Sequence, residues 1–314
     1  MAKEVRNENI NLDEEILAPY THLTQIRGKE FKEQLVKSFN HWLKIPDNQL
    51  KNAIDIMTMV KNATLLLDDI QDSSLTRRGL PAAHCVYGVP LTLNAGAQMT
   101  LKSIIKISEL VPSWEGAEIL LNVLSEAFIG QGYEIYWREN CICPNEEIYL
   151  KMLSLKTGTI MLIGVKLIQL FSENKTNYDD FVMKIGLYLQ LRDDYCNLGH
   201  EKDLEEMPGE EDVNADKDGY NLEDITEGKF TLPAIYAMKT PEGPQVLSII
   251  RQRTRDLELK KLCLSLLEKS GGMQYTRDLL MKIDKELRTE LASFGGNPIL
   301  EEVLNRLRIP NTKK

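Results

Sequence analysis

The sequence predicts an all-α protein built as a single helical domain. Apolar residues recur at three- and four-residue spacing along most of the chain, strand-like alternation is nearly absent, and neither an internal repeat nor a linker divides one core from another. Residues 1–15 are polar and expected to form a flexible terminus; periodic patterning begins near Ile16, and the domain is expected to run over 16–310. Asp47 after Pro46 suits a helix N-cap, and Leu50, Ile54, Met57 and Val60 put one apolar stripe on a long buried helix reaching Leu67. The same spacing predicts helices over 93–110, 117–131, 147–171, 179–198, 232–238, 246–251, 257–269 and 275–294. Segment 201–218 breaks the pattern: nine of its eighteen positions are acidic, with Pro208-Gly209 in the middle, so an acidic loop is expected there.

Composition narrows the chemistry. Of 314 residues, 43% are apolar and 27% charged, the balance of a folded globular chain. A net charge of −9 weighs against nucleic acid or an anionic membrane as partner, so an anionic ligand would need a local cluster of cations or a metal. The five cysteines are scattered and nothing at the amino terminus reads as a signal peptide, which leads us to expect reduced thiols and a cytoplasmic location. Cys141 and Cys143 lack a second pair at zinc spacing and read as a loop feature. No run of about 18 apolar residues is apparent, so no membrane-spanning helix is expected.

The chemistry-bearing residues are acidic. Asp68, Asp69 and Asp72 fall at i, i+1 and i+4 beside Leu65-Leu66-Leu67, so on a continuing helix Asp68 and Asp72 share a face. Three carboxylates so close repel one another, and a hard dication would supply the missing charge; a solvated acidic helix end would explain the same residues. Gln190, Asp193, Asp194 and Asn197 form a second oxygen-rich stripe at i, i+3, i+4 and i+7. Two such stripes suit magnesium bridged to a diphosphate, because magnesium favours a few carboxylates plus substrate phosphate over an all-protein cage. Arg77, Arg78, Lys156, Thr157, Lys217 and Lys229 sit at predicted helix ends or loops and could grip that diphosphate, although each basic residue alone also reads as ordinary surface charge.

Read together, these residues resemble the trans-isoprenyl diphosphate synthases, and among them the geranylgeranyl diphosphate synthases of animals. The likeness covers nearly the whole chain. It rests on Phe39-Asn40-His41-Trp42-Leu43, Asp68-Asp69-Ile70-Gln71-Asp72, Arg77-Arg78-Gly79, Gly130-Gln131-Gly132, Ile135-Tyr136-Trp137-Arg138, Lys156-Thr157-Gly158, Arg192-Asp193-Asp194-Tyr195, the run from Glu223 to Lys229, and Gly295-Gly296-Asn297-Pro298. The resemblance implies a helical bundle around a deep central cavity, usually a homo-oligomer, acting on a prenyl diphosphate with about three magnesium ions per site. It makes Asp68, Asp69, Asp72, Asp193 and Asp194 the catalytic carboxylates, with Asp68, Asp69, Asp72 and Asp193 on the metal. Arg77, Lys156, Thr157, Gln190, Lys217 and Lys229 would hold the allylic diphosphate as a leaving group. Small Ala63 and Thr64 before the first motif would leave room for a long chain.

The departures from the family are local. Its second site, for isopentenyl diphosphate, uses Gly-Lys-x-x-Arg, a histidine shortly before the first aspartates, and the second arginine of Arg-Arg-Gly. Here Gly28, Lys29 and Arg78 match, while Lys32 stands for the arginine and Lys61 for the histidine. Lysine keeps a charge but loses the bidentate fork. Lys61 lies seven residues before Asp68, on the same helical stripe. Gln98-Met99-Thr100-Leu101 and Phe128-Ile129 depart as well, and the acidic loop is longer than the family pattern. With ionisation intact and the nucleophile site altered, the expected activity is that of a terpene synthase on this scaffold, as in some insect enzymes that look like descendants of the family. The alternative is an ordinary prenyltransferase that adds isopentenyl diphosphate. A non-catalytic partner subunit is disfavoured, because it would have no need of two sets of mutually repelling carboxylates.

Overall fold

Residues 11–26, 28, 31–111, 113–198 and 222–309 are described by the computed structural model. Lys29, Lys217 and the acidic segment 201–218 lie outside them.

Four short helices lead in: α1 (Leu12–Glu15), α2 (Ala18–Thr24), α3 (Phe31–Ser38) and α4 (Asn40–Leu43). The first is fixed by Asn11, whose side chain accepts from the amide of Asp13, so helix begins inside the expected flexible terminus. Helix α5 (Asp47–Gln71) follows the predicted stripe, burying Ile54, Met57, Val60 and Leu67. Its N-cap is Pro46 rather than the expected Asp47, which instead opens the first turn, where its charge meets the positive end of the helix dipole. The helix runs through the first motif: Asp72 is its C-cap and donates its amide to the Asp68 carbonyl at 2.8 Å.

A two-residue ribbon of β1 (Thr76–Arg77) and β2 (Leu80–Pro81) then pairs antiparallel, Thr76 opposite Pro81 and Arg77 opposite Leu80. Arg78 and Gly79 form its turn at φ 54° and 75°, the pair of positive angles that a tight hairpin requires. Thus the two arginines leave the turn in different directions.

Helices α6 (Ala83–Tyr87), α7 (Val89–Leu110) and α8 (Trp114–Asn140) follow, with α7 against α5. The helix expected over 147–171 is not continuous. It divides into α9 (Glu146–Leu153), a π-turn (Ser154–Gly158) and α10 (Thr159–Gln169). The stretch Glu146–Gln169 is long and apolar enough to cross a membrane, with mean hydropathy 1.4 over its most apolar 18 residues, contrary to the expectation that no segment is; 67% of that window is buried inside the bundle, which accounts for its composition.

Helix α11 (Asp179–Leu198) packs on the π-turn so closely that a Cβ on Gly186 would stand 2.2 Å from the Gly158 Cα. Only glycine permits that crossing. Beyond the undescribed segment come α12 (Glu223–Glu227), α13 (Leu232–Ala237), α14 (Gly243–Ile250), α15 (Leu257–Lys269), α16 (Gly272–Ser293) and α17 (Pro298–Arg306).

The main core joins α3, α5, α8, α10, α11 and α16. One end of it is an aromatic node in which Trp42 stacks on Tyr178 at 5.1 Å and Tyr178 meets Phe294 at 5.0 Å. Trp42 Nε1 donates to the Gly296 carbonyl at 3.0 Å, and Asn297 Nδ2 to that of Ser38 at 2.9 Å. Two motifs that carried the resemblance, Phe39–Leu43 and Gly295–Pro298, therefore hold the chain ends together. Their task is packing.

Candidate active site

The C-terminal end of α5, the ribbon, α8, the π-turn, α11 and α12 converge on one cleft. Asp68 receives Gln131 Nε2 at 3.1 Å and lies 3.4 Å from Lys156 Nζ and 3.7 Å from Arg77 Nη2. Asp69 is bound by Arg77, whose Nε donates at 2.7 Å. Its other oxygen is buried without a partner, and burial draws this carboxyl above the ordinary range despite Arg77. Asp72 is paired differently: Arg138 Nη1 donates to it at 2.6 Å while Nη2 holds the Gln71 carbonyl, and Lys229 Nζ stands 3.4 Å away. Burial works against the Asp72 charge, but Lys229, Lys156 and Arg138 hold it well below the ordinary carboxylate range.

Among the described residues no cation is paired directly with the second stripe, although the charge of Lys229 reaches Asp194. Asp194 accepts from the Tyr149 hydroxyl at 2.6 Å and from Gln190 Nε2 at 2.9 Å, and burial pushes it up to about 6. Gln190 in turn accepts from the Thr157 hydroxyl at 2.6 Å, which ties the π-turn to α11. Asp193 is half-buried on the same helix, and its charge reaches both Asp194 and Lys32. Arg192 points away, its Nε donating to the Leu307 carbonyl at 2.8 Å, and so anchors α11 from behind.

Lys156 is paired with Glu134 and Asp68, and Lys229 with Glu227, Asp72 and Asp224. Those carboxylates keep both ammonium groups charged against the pull of burial. Among the described residues Asp68, Asp69, Asp72, Glu134, Asp193, Asp194, Asp224 and Glu227 outnumber the cations Lys32, Arg77, Arg138, Lys156 and Lys229 around them. A dication fits that imbalance. Asp69 Oδ2 and Asp224 Oδ2 are buried there without a hydrogen-bond partner and could turn to such an ion. Among the described residues no group of three or more histidine, cysteine or carboxylate side chains is gathered closely enough to hold a metal ion by itself.

The residues expected at the second site behave otherwise. Arg78 donates to the Leu23 carbonyl at 2.9 Å, the Ile26 carbonyl at 3.0 Å and Asn62 Oδ1 at 3.2 Å. Its guanidinium lies over Gly28, where any Cβ would collide with it at 2.4 Å. Lys61 is buried and paired with Glu33, and Lys32 is half-buried beside them. Glu33, Arg138 and Tyr149 were missed in the sequence, since each meets its partner from a distant helix. The Glu134, Arg138 spacing on α8, one turn apart, was the available signal. A roomier cleft of about 600 Å³ lies elsewhere, beside Tyr188, Asp284, Arg288 and Arg308, and holds none of the residues singled out above.

A helical bundle that draws aspartates from two helices and paired lysines into one cleft has the organisation of enzymes that act on prenyl diphosphates. The chain belongs to the polyprenyl synthetase family, whose sequence profile matches residues 13–267. It is 43% identical over 95% of its length to a terpene synthase of Matsumurasca onukii, covering 94% of that protein. It is also 36% identical to a geranylgeranyl pyrophosphate synthase of Mucor circinelloides f. lusitanicus, over 98% of this chain and 97% of the relative, and 34% identical to one of Dictyostelium discoideum, over 94% and 93%. The family name and most of these relatives speak for prenyl transfer, so on names alone the comparisons favour chain elongation over terpene formation.

Proposed function

We propose that the chain ionises an allylic prenyl diphosphate and releases the resulting carbon skeleton as a terpene rather than a longer diphosphate. Lys156, Lys229 and Arg77 meet the diphosphate, and Thr157 and Gln190 fix its orientation. The allylic C–O bond breaks, its electron pair leaves with the diphosphate, and the cation loses a proton, takes water or cyclises. Magnesium held by Asp68, Asp69, Asp72 and Asp193 would neutralise the departing diphosphate.

One observation supports the terpene outcome. Lys61 is buried against Glu33, a carboxylate outside both aspartate motifs, whereas Lys156 and Lys229 stand beside the Asp68 and Asp72 that would take the metal; Arg78 holds two backbone carbonyls and Asn62. The second reading is prenyl transfer, favoured by the family and by the geranylgeranyl pyrophosphate synthases it resembles. Lys32 also stands where a cation for that substrate is expected.

Purified protein with magnesium and geranyl, farnesyl or geranylgeranyl diphosphate, with and without isopentenyl diphosphate, separates the two. Hydrocarbon or alcohol formed without isopentenyl diphosphate is the expected result. Efficient elongation with no such product would sink the terpene reading.

The free thiols of Cys85, Cys141, Cys143, Cys196 and Cys263 support the proposal of a cytoplasmic location. Exposed apolar stripes on α7 and α8 support that of a homo-oligomer.

A further inference from the structure

We propose that Glu33 is a specificity-determining residue that keeps a second diphosphate from binding where α3 meets α5 by neutralising Lys61. The inference rests on the terpene reading above and gives it a cause. Glu33 is only 7% exposed, and Lys61 9%. Its Oε1 takes the Lys61 ammonium and also the Thr58 hydroxyl at 3.3 Å, while its Oε2 is buried with no partner at all. A lysine locked in such a pair cannot turn to an incoming anion without leaving the carboxylate buried and uncompensated.

The neighbouring charges compound the effect. Lys32 lies in the field of Glu33 on one side and of Asp193 and Asp68 on the other. Arg78, a further cation of this corner among the described residues, is folded over Gly28 onto backbone carbonyls. A diphosphate entering here meets a Lys61 whose charge is offset and a carboxylate with a free oxygen, so Lys61 adds little attraction to that of Lys32. Removing the carboxylate alone therefore frees Lys61 and adds one positive charge to the corner.

The test is titration of isopentenyl diphosphate into magnesium-free protein, comparing wild type with Glu33→Gln and with Glu33→Met/Lys61→Met. Glu33→Gln is expected to tighten binding by about tenfold or more. The double variant replaces the ion pair by apolar groups of similar bulk, a change that folds tolerate. It should bind within about threefold of wild type, because it removes a neutral unit. A folded Glu33→Gln protein with unchanged affinity overturns the inference. So does a double variant that loses about tenfold or more, since Lys61 would then be gripping the ligand despite Glu33. Turnover of allylic diphosphate by wild type without isopentenyl diphosphate is measured alongside. Its absence would count against the terpene reading, whereas the binding arms decide the role of Glu33.

Discussion

Asp72 and Asp194 carry the same side chain under opposite constraints. Asp72 is a buried anion already matched by Arg138 and Lys229, so its low pKa adds stability that is fully present at neutral pH and is lost only as pH falls below the ordinary 3.8. Asp72→Asn leaves the guanidinium of Arg138, 2% exposed, with only the exposed Glu139 as a paired anion, and should cost about 3 kcal/mol in urea unfolding at pH 7. Asp194 has the reverse sign. Its folded pKa of about 6 stands above the ordinary 3.8, so its contribution is present below 3.8, is lost as pH rises to about 6, and above that the buried carboxylate is a cost. With chelator at pH 8, Asp194→Asn should therefore be more stable than wild type by about 1–2 kcal/mol, after allowance for one weakened bond to Gln190, and the gain should vanish at pH 4. The same variant should lose magnesium-dependent turnover. Equal stability at both pH values would refute the claim that Asp194 is short of positive charge. Both aspartates were legible in the sequence, because i, i+3 and i+4 spacing fixes which side chains share a helical face. Their difference was not, since Arg138 and Tyr149 reach them across the fold from positions 66 and 45 residues away.

At the scale of elements, the contact that sets the site is α11 against the π-turn. An extra residue in the turn over Ser154–Gly158 shifts the register of everything after it, and it brings Thr157 within 2.6 Å of Gln190. Gly186 and Gly158 let the two backbones touch. Gly186→Ala should destabilise the protein by about 1–3 kcal/mol through overpacking against main chain, and should raise KM for the allylic diphosphate more than it lowers kcat. Gly132→Ala is the control, because a Cβ there meets nothing within 4 Å, and its melting temperature should hold or rise slightly through the helix propensity of alanine. If the two variants behave alike, the crossing does not position Thr157. Nothing local announced this turn: the apolar spacing over 147–171 fits an unbroken helix, and a π-turn is decided by what packs on it. The long helix α5 was legible because one uninterrupted apolar stripe decides it, and its start was misplaced by a single residue at Pro46.

At the scale of the molecule, α7 leaves Leu93, Leu101 and Ile105 exposed on one side, the last two a single turn apart, and α8 beside it leaves Leu121, Phe128 and Ile129. An amphipathic helix that buries one face and presents a second apolar stripe to water has an unpartnered surface, and a second copy of the chain would cover it. A stable pairing needs about 800 Å² from each partner, an area that two helices of 22 and 27 residues can supply. Leu101→Glu with Ile105→Glu should therefore halve the mass measured by light scattering without reducing helicity. The consequence reaches the cleft, because α7 supports α5, which ends in the first aspartates, and α8 carries Gln131, Glu134 and Arg138. Dissociated protein should retain its fold and turn over allylic diphosphate several-fold more slowly. A wild-type chain that runs as a monomer at micromolar concentration, or a charged variant that keeps its mass, would show that the stripes serve something other than self-association.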